Sequence, residues 1–140
     1  MNNEQSHIKD VYNVAAVEYR KKYDAIPTRC EDVDLAFSFT PEQSPKVLEI
    51  GCAYGREAQY ILTKTPHYIG IDISDEYIAM AQEKVVGGQF LAEDVLQYIF
   101  PPQQNIIFAF ASLLHLDTEQ MSTVLKKAYV ALSKDGILFL

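Results

Sequence analysis

No stretch of this chain stays apolar long enough to cross a bilayer. The longest apolar run, Ile106 to Leu114, is interrupted by Ser112 and falls far short of the roughly 20 residues that a membrane-spanning helix needs. The amino terminus, Met-Asn-Asn-Glu-Gln, has neither the basic start nor the apolar core of a secretory signal. Cysteine is scarce. Cys30 and Cys52 are too few for a disulfide framework, which points to a reduced, cytoplasmic setting. No grouping of cysteine and histidine has metal-ligand spacing, so no metal site is expected. Basic clusters are missing too: Lys and Arg are scattered and the net charge is −7, whereas a non-specific polyanion binder needs a basic stripe. These absences favour a small-molecule partner, with neither nucleic acid nor membrane expected.

With 49% hydrophobic and 22% charged residues over 140 positions, the chain suits one globular domain with a real core. That core is organised around Lys46 to Glu57, Lys-Val-Leu-Glu-Ile-Gly-Cys-Ala-Tyr-Gly-Arg-Glu. Val47, Leu48 and Ile50 fit a strand of a parallel sheet buried on both faces. From Arg56 to Lys64 the apolar spacing turns helical, so Gly51 to Gly55 is a tight turn that brings bare backbone close to a ligand. A dinucleotide fingerprint, Gly-x-Gly-x-x-Gly, would place its third glycine at position 56, which here is Arg.

Before this strand, Ile8, Val11, Tyr12, Ala15, Tyr19 and Tyr23 share one face of a helix predicted from about Ser6 to Tyr23. A second helix is predicted from about Cys30 to Phe39, and Thr40-Pro41 with Ser44-Pro45 forms the linker. Residues 1–45 are too short to bury a core alone and read as a helical lid on a core of residues 46–140. After the turn come a strand from Tyr68 to Ile73, a helix capped by Ser74, and a strand from Gln89 to Ala92. A short helix is expected over Val95 to Phe100, ended by Pro101-Pro102. A fourth strand, Asn105 to Ala111, precedes a helix opened by an Asp117/Gln120 capping box, with Met121, Val124, Leu125, Ala128 and Leu132 inward. Ser133 to Gly136 reads as a turn, and Ile137 to Leu140 as the fifth strand.

Glu49, Gly51, Ala53 and Gly55 together resemble the first motif of class I S-adenosylmethionine-dependent methyltransferases, acidic-x-Gly-x-Gly-x-Gly, with Ala53 standing where the family more often has glycine. Asp72, at the end of the second strand, resembles the family's second motif, and Asp94-Val95 its adenine clamp. The later run Ala-Ser-Leu-Leu-His-Leu, Ala111 to Leu116, resembles a bacterial subgroup of small members. The resemblance implies a Rossmann-like three-layer αβα fold, with a mostly parallel sheet of order 3-2-1-4-5 that lacks the usual sixth and seventh strands. It also implies S-adenosyl-L-methionine as cofactor, contacted by Tyr19, Glu49, Gly51, Cys52, Ala53, Gly55, Asp72, Ile73, Asp94, Val95 and Ala111, with Ser112 and His115 facing a small acceptor.

Each assignment has a plainer counterpart. Tyr19 would lay an aromatic face beside a sulphonium, or simply pack on the sheet. A carboxylate at Asp72 can accept from paired ribose hydroxyls, but a NAD-binding fold would use the same acid. Asp94 would hold adenine, cap the next helix, or both. His115 belongs to the residue type that titrates near neutrality and would deprotonate the acceptor, or be a structural histidine. A non-catalytic binding module is the second functional reading. An apolar fifth strand left as a sheet edge would also favour a homodimer through that edge.

Overall fold

Four consecutive buried residues, Val47 to Ile50, form β1 (Val47–Ile50) at the middle of the sheet. The computed structural model describes residues 3–140; the first two positions of the expected 1–45 segment lie outside them. β1 is flanked by β2 (Tyr68–Asp72) and β4 (Gln104–Phe108), with β3 (Gln89–Ala92) and β5 (Leu132–Phe139) outermost, in the order β3-β2-β1-β4-β5. Every pairing is parallel. All strand tips that carry the glycine turn and the acids therefore open at one end of the sheet, where ligands of such folds collect.

Alternation along β1 divides the core. Val47 joins Ile106 and Phe108 on one face, beneath α2 (Cys30–Ser38), α3 (Ala58–Ile61) and α4 (Asp75–Lys84), through Val33, Ala36, Ile61, Ile78 and Ala81. Leu48 and Ile50 join Ile71 and Ile107 on the other, beneath α5 (Thr118–Ala131), through Val124, Ala128 and Ala131. Each fully buried Leu, Ile or Phe stabilises this arrangement by about 1.5–3 kcal/mol. α1 (Asn3–Asp24) lies against α4, where Tyr12, Ala16 and Tyr19 pack with Ala53, Tyr54, Tyr77 and Met80. No described helix is long and apolar enough to cross a membrane.

The expected capping devices form. The Ser74 hydroxyl accepts from Tyr77 N, and Asp117 and Gln120 make a reciprocal box. Several expectations need correction. Val95 to Phe100 is not a helix but a turn, closed by Gln97 N and Tyr98 N donating to Asp94 O; six residues before two prolines leave no room to propagate. β4 ends at Phe108 rather than Ala111, and by Ala111 the backbone has turned to φ 52°. β5 starts at Leu132, which pairs with Gln104; Ser133 to Gly136 then bulges before pairing resumes between Ile106 and Ile137. Leu125 is exposed, whereas Val124, Ala128 and Ala131 are the buried residues of α5. Val11 is likewise exposed, and Ala16 is buried on α1.

Candidate functional site

The glycine turn is fixed by its contacts with neighbouring strand ends. Gly51 N and Cys52 N both donate to Ile71 O, at 2.7 and 3.0 Å. Gly51 has φ 73°, and a methyl group there would overlap the Cβ of Ser112, whose hydroxyl donates to Ile50 O at 2.7 Å. Ala53 adopts φ 47°, a left-handed conformation that costs a residue with a Cβ about 1–2 kcal/mol. Its amide donates to Asp72 Oδ2 at 3.0 Å, which helps hold it there. Gly55 serves another end: a Cβ would meet Val85 Cγ2 at 2.8 Å, so this glycine lets α4 pack close and does not line the cavity.

Above the turn lies a cavity of about 240 Å3. Of the residues singled out from sequence, Glu49, Gly51, Cys52, Ala53, Asp72, Ile73, Asp94, Val95, Ala111, Ser112 and His115 all line it. Tyr19 does not; its ring lies in an aromatic row 6.0 Å from Tyr12 and 6.3 Å from Tyr23. The wall also contains Tyr12, Tyr23, Arg29, Arg56, Tyr77 and Phe110. Arg29 lies 5.4 Å over the Phe110 ring. Nothing in its local sequence marks Arg29, which reaches the cavity only because α2 begins beside the tip of β4.

Asp72 is anchored through both oxygens. Oδ1 accepts from Ser74 N at 2.9 Å and Oδ2 from Ala53 N. Burial pushes its carboxyl up, and the Ser74, Ala53 and Ile73 amides pull it back. Each oxygen of a carboxylate retains a second lone pair for a ligand. Asp94 differs: Oδ1 accepts from Leu96 N at 2.9 Å, while Oδ2 is buried with no hydrogen-bond partner among the described residues. The loop that holds it is braced from α5, where Lys127 Nζ donates to Val95 O and Leu96 O at 2.7 and 3.2 Å.

Glu49 lies inside the sheet, where Tyr68 Oη donates to Glu49 Oε2. Gly70 is paired opposite Glu49 in β2 and leaves the space this pair occupies: a Cβ there would meet Tyr68 Oη at 2.6 Å and Cys52 Sγ at 2.8 Å. Burial pushes the Glu49 carboxyl up to about 8, opposed by the Tyr68 hydrogen bond. The folded protein thus keeps this proton to about pH 8 while the unfolded chain releases it near 4.5. Because the native state binds more protons across that window, Glu49 lowers stability as pH rises through it. Glu49→Gln is expected to remove this loss, so that denaturant midpoints at pH 6 and 9 show the variant gaining on the parent at the higher pH. Equal pH dependence in the two proteins would refute a proton held on Glu49.

Polar ties secure α1 at both ends. Lys9 Nζ lies 2.6 Å from Asp75 Oδ2, and Ser74 Oγ donates to Asn13 Oδ1 at 2.6 Å. Toward its carboxyl end, Tyr54 Oη donates to Asp24 Oδ1 at 3.0 Å and Arg56 donates to Tyr23 O at 2.9 Å. Arg56 also donates twice to Glu57 Oε1. Among the described residues, no cluster of three or more His, Cys, Asp or Glu is placed to hold a metal ion.

A parallel sheet of this order, with helices on both faces and a glycine turn after its first strand, defines a Rossmann-like α/β domain. Residues 47–136 match the family model described as methyltransferase domain, and the chain belongs to that family, within the class I S-adenosylmethionine-dependent methyltransferases. It is 29% identical over 68 residues to trans-aconitate 2-methyltransferase of Rhodopseudomonas palustris (strain BisB5), a match covering 47% of this chain and 27% of that protein. Among solved structures, it resembles magnesium protoporphyrin IX methyltransferase from Synechocystis PCC 6803 with bound SAM, with TM-score 0.74, 17% identity, and 94% and 73% of the two chains covered. It also resembles a sugar N-methyltransferase from Streptoalloteichus sp, with TM-score 0.75, 16% identity, and 87% and 50% covered. The chain thus spans about a quarter of the curated relative it matches.

Proposed function

We propose that this chain binds S-adenosyl-L-methionine in the cavity above the glycine turn and transfers its methyl group to a small-molecule acceptor. The observation that carries this reading is Asp94 Oδ2, a buried acceptor without a partner among the described residues, one strand tip away from Asp72. An exocyclic amine would satisfy it, and an unsatisfied buried acceptor otherwise costs about 1–3 kcal/mol. The spare lone pairs of Asp72 would accept from the ribose hydroxyls. The space above Gly51 and Ala53 would admit the methionine part, Arg29 would meet its carboxylate, and Ser112 and His115 would face the acceptor.

When bound, the cofactor supplies a methyl group on a sulphonium that is already a good leaving group. The chain's task is then to orient the reactants and exclude water. Calorimetry is expected to show binding of S-adenosylmethionine and S-adenosylhomocysteine, with NAD far weaker. A preference for NAD would overturn the reading, although Arg56 at the third-glycine position opposes it.

A non-catalytic S-adenosylmethionine-binding module is the second reading, since the Asp94 oxygen and the spare Asp72 lone pairs speak for holding the donor and not for turnover. Methyl transfer to any acceptor by these 140 residues would dispose of it. We also propose a cytoplasmic setting, supported by two free cysteines, and a homodimer through β5, supported by its pairing with β4 alone among the described strands.

A further inference from the structure

Tyr12 and His115 are 103 residues apart in sequence, yet Tyr12 Oη and His115 Nε2 share a hydrogen bond of 2.6 Å. The two rings meet edge to face, 5.6 Å between centroids and 70° between planes. Both side chains line the cavity. Tyr12 is further positioned by Tyr19 and Tyr77, at 6.0 and 6.1 Å.

A fastening role for α1 is a poor account of this pair. Lys9, Asn13, Asp24 and the Tyr23 carbonyl already tie that helix at both ends to residues on other elements. The pair instead places a hydroxyl and an imidazole on the cavity wall, where Ser112 and the Ala53 turn also open. Of the acids on the same wall, Asp72 is engaged by backbone amides, Glu49 by Tyr68 and Glu57 by Arg56.

We propose that Tyr12 and His115 form a proton relay for the acceptor, which restricts the acceptor to a nucleophile that carries a proton, an O–H or N–H group, in preference to a carboxylate. The inference rests on the reading that this cavity holds the methyl donor. As the acceptor atom bonds to the methyl carbon, the carbon–sulphur pair returns to sulphur and leaves a neutral thioether. The acceptor's proton passes to Tyr12 Oη, whose own proton moves to His115 Nε2. The positive charge lost from sulphur reappears on the imidazole, so atoms and charge balance. A carboxylate acceptor has no proton to give and would leave the pair without a task. Burial first, then Tyr19, Tyr23 and Asp72, raise the Tyr12 phenol, so its proton stays on oxygen near neutral pH and is available to donate. Those three, Tyr77 and His115 are titratable groups facing it.

The relay requires the His115 tautomer with hydrogen on Nδ1 and a free lone pair on Nε2. Nitrogen-15 NMR of the histidine-labelled chain with S-adenosylhomocysteine reads this directly, His115 being identified among three histidines by its loss in His115→Gln. The expected result is the Nδ1–H tautomer, with the Nε2 resonance displaced in Tyr12→Phe. An Nε2–H tautomer, or no response to Tyr12→Phe, overturns the relay even if no acceptor is in hand.

The second arm measures S-adenosylhomocysteine formation with a panel of simple alcohols, phenols and amines beside trans-aconitate. Turnover is expected with O–H or N–H acceptors. Tyr12→Phe should lower kcat by about 10²–10⁴-fold, with KM and S-adenosylhomocysteine affinity within threefold of the parent. Turnover confined to trans-aconitate, or kcat unchanged in Tyr12→Phe, overturns the relay. Failure of the parent chain to bind S-adenosylhomocysteine sinks the underlying reading instead, so the two failures are distinct.

Discussion

Asp72→Ala is expected to weaken S-adenosylhomocysteine binding at least a hundredfold in a calorimetric titration. The carboxylate fastens the Ala53 amide of the glycine turn and the Ser74 amide at the start of α4, and its remaining lone pairs are those that the proposed ribose contact would use. Hydrogen bonds to a charged group are worth about 1.5–3 kcal/mol each. Losing two of them removes about two to four orders of magnitude in affinity. The turn also loosens when the Ala53 amide is released, since that bond helps hold a left-handed residue in place. Asp72→Asn partly separates the two effects: it keeps the size and one acceptor oxygen, so one of the two amides keeps its partner and melting should fall less than in Asp72→Ala, while the ligand still loses its charged partner. Parent-like binding by Asp72→Asn would show that no ribose is held there.

Gly51→Ala is expected to cost the fold about 3–5 kcal/mol, a fall in melting temperature of about 10 °C or more for a chain of this size. Two penalties coincide at this position. The backbone sits at φ 73°, and the added methyl group would overlap Ser112 Cβ, which is held in place by the hydroxyl bond to Ile50 O. Relief by moving Ser112 would break that bond and shift the tip of β4, taking Ala111 and Phe110 with it. Gly87→Ala is the control. Gly87 has φ 93°, but a Cβ added there would meet nothing within 4 Å, so it carries the conformational penalty alone. Equal losses in the two variants would mean that the approach of Ser112 to the turn is unimportant.

The strands and the glycine turn were legible because each depends on neighbours in sequence. Gln89 to Ala92 is bounded by Gly87-Gly88 on one side and Glu93-Asp94 on the other, and the strand has those limits. Capping of α4 and α5 was readable for the same reason, since a cap and the amide it accepts from lie three residues apart. The acids at the tips of β2 and β3 could be placed because parallel strands bring successive tips to one end. Arg29, Tyr77 and Tyr12 were not legible as members of the cavity wall, nor was the pairing of Tyr12 with His115, which was itself expected there. They come from α1, α2, α4 and the segment after β4, and only the packing of those elements brings them together. Gly55 was singled out on spacing, and within a five-residue turn pattern alone does not distinguish a residue that faces a ligand from one that admits a helix. The inward side of α5 was misjudged at Leu125 because an apolar residue near the edge of a helical stripe reads like one at its centre.

The empty place left by Gly70 makes four positions in β1, β2 and the turn after β1 a single mutational unit. Tyr68 and Cys52 occupy the volume that a side chain at 70 would claim, and Tyr68 in turn donates to Glu49, so substitutions among them should combine non-additively. A larger residue at 70 would be tolerable only after the tyrosine had been shortened, and shortening the tyrosine first would strand the buried glutamic acid. An evolutionary route from this interior to a wholly aliphatic one therefore crosses an unstable intermediate unless the acid is exchanged at the outset.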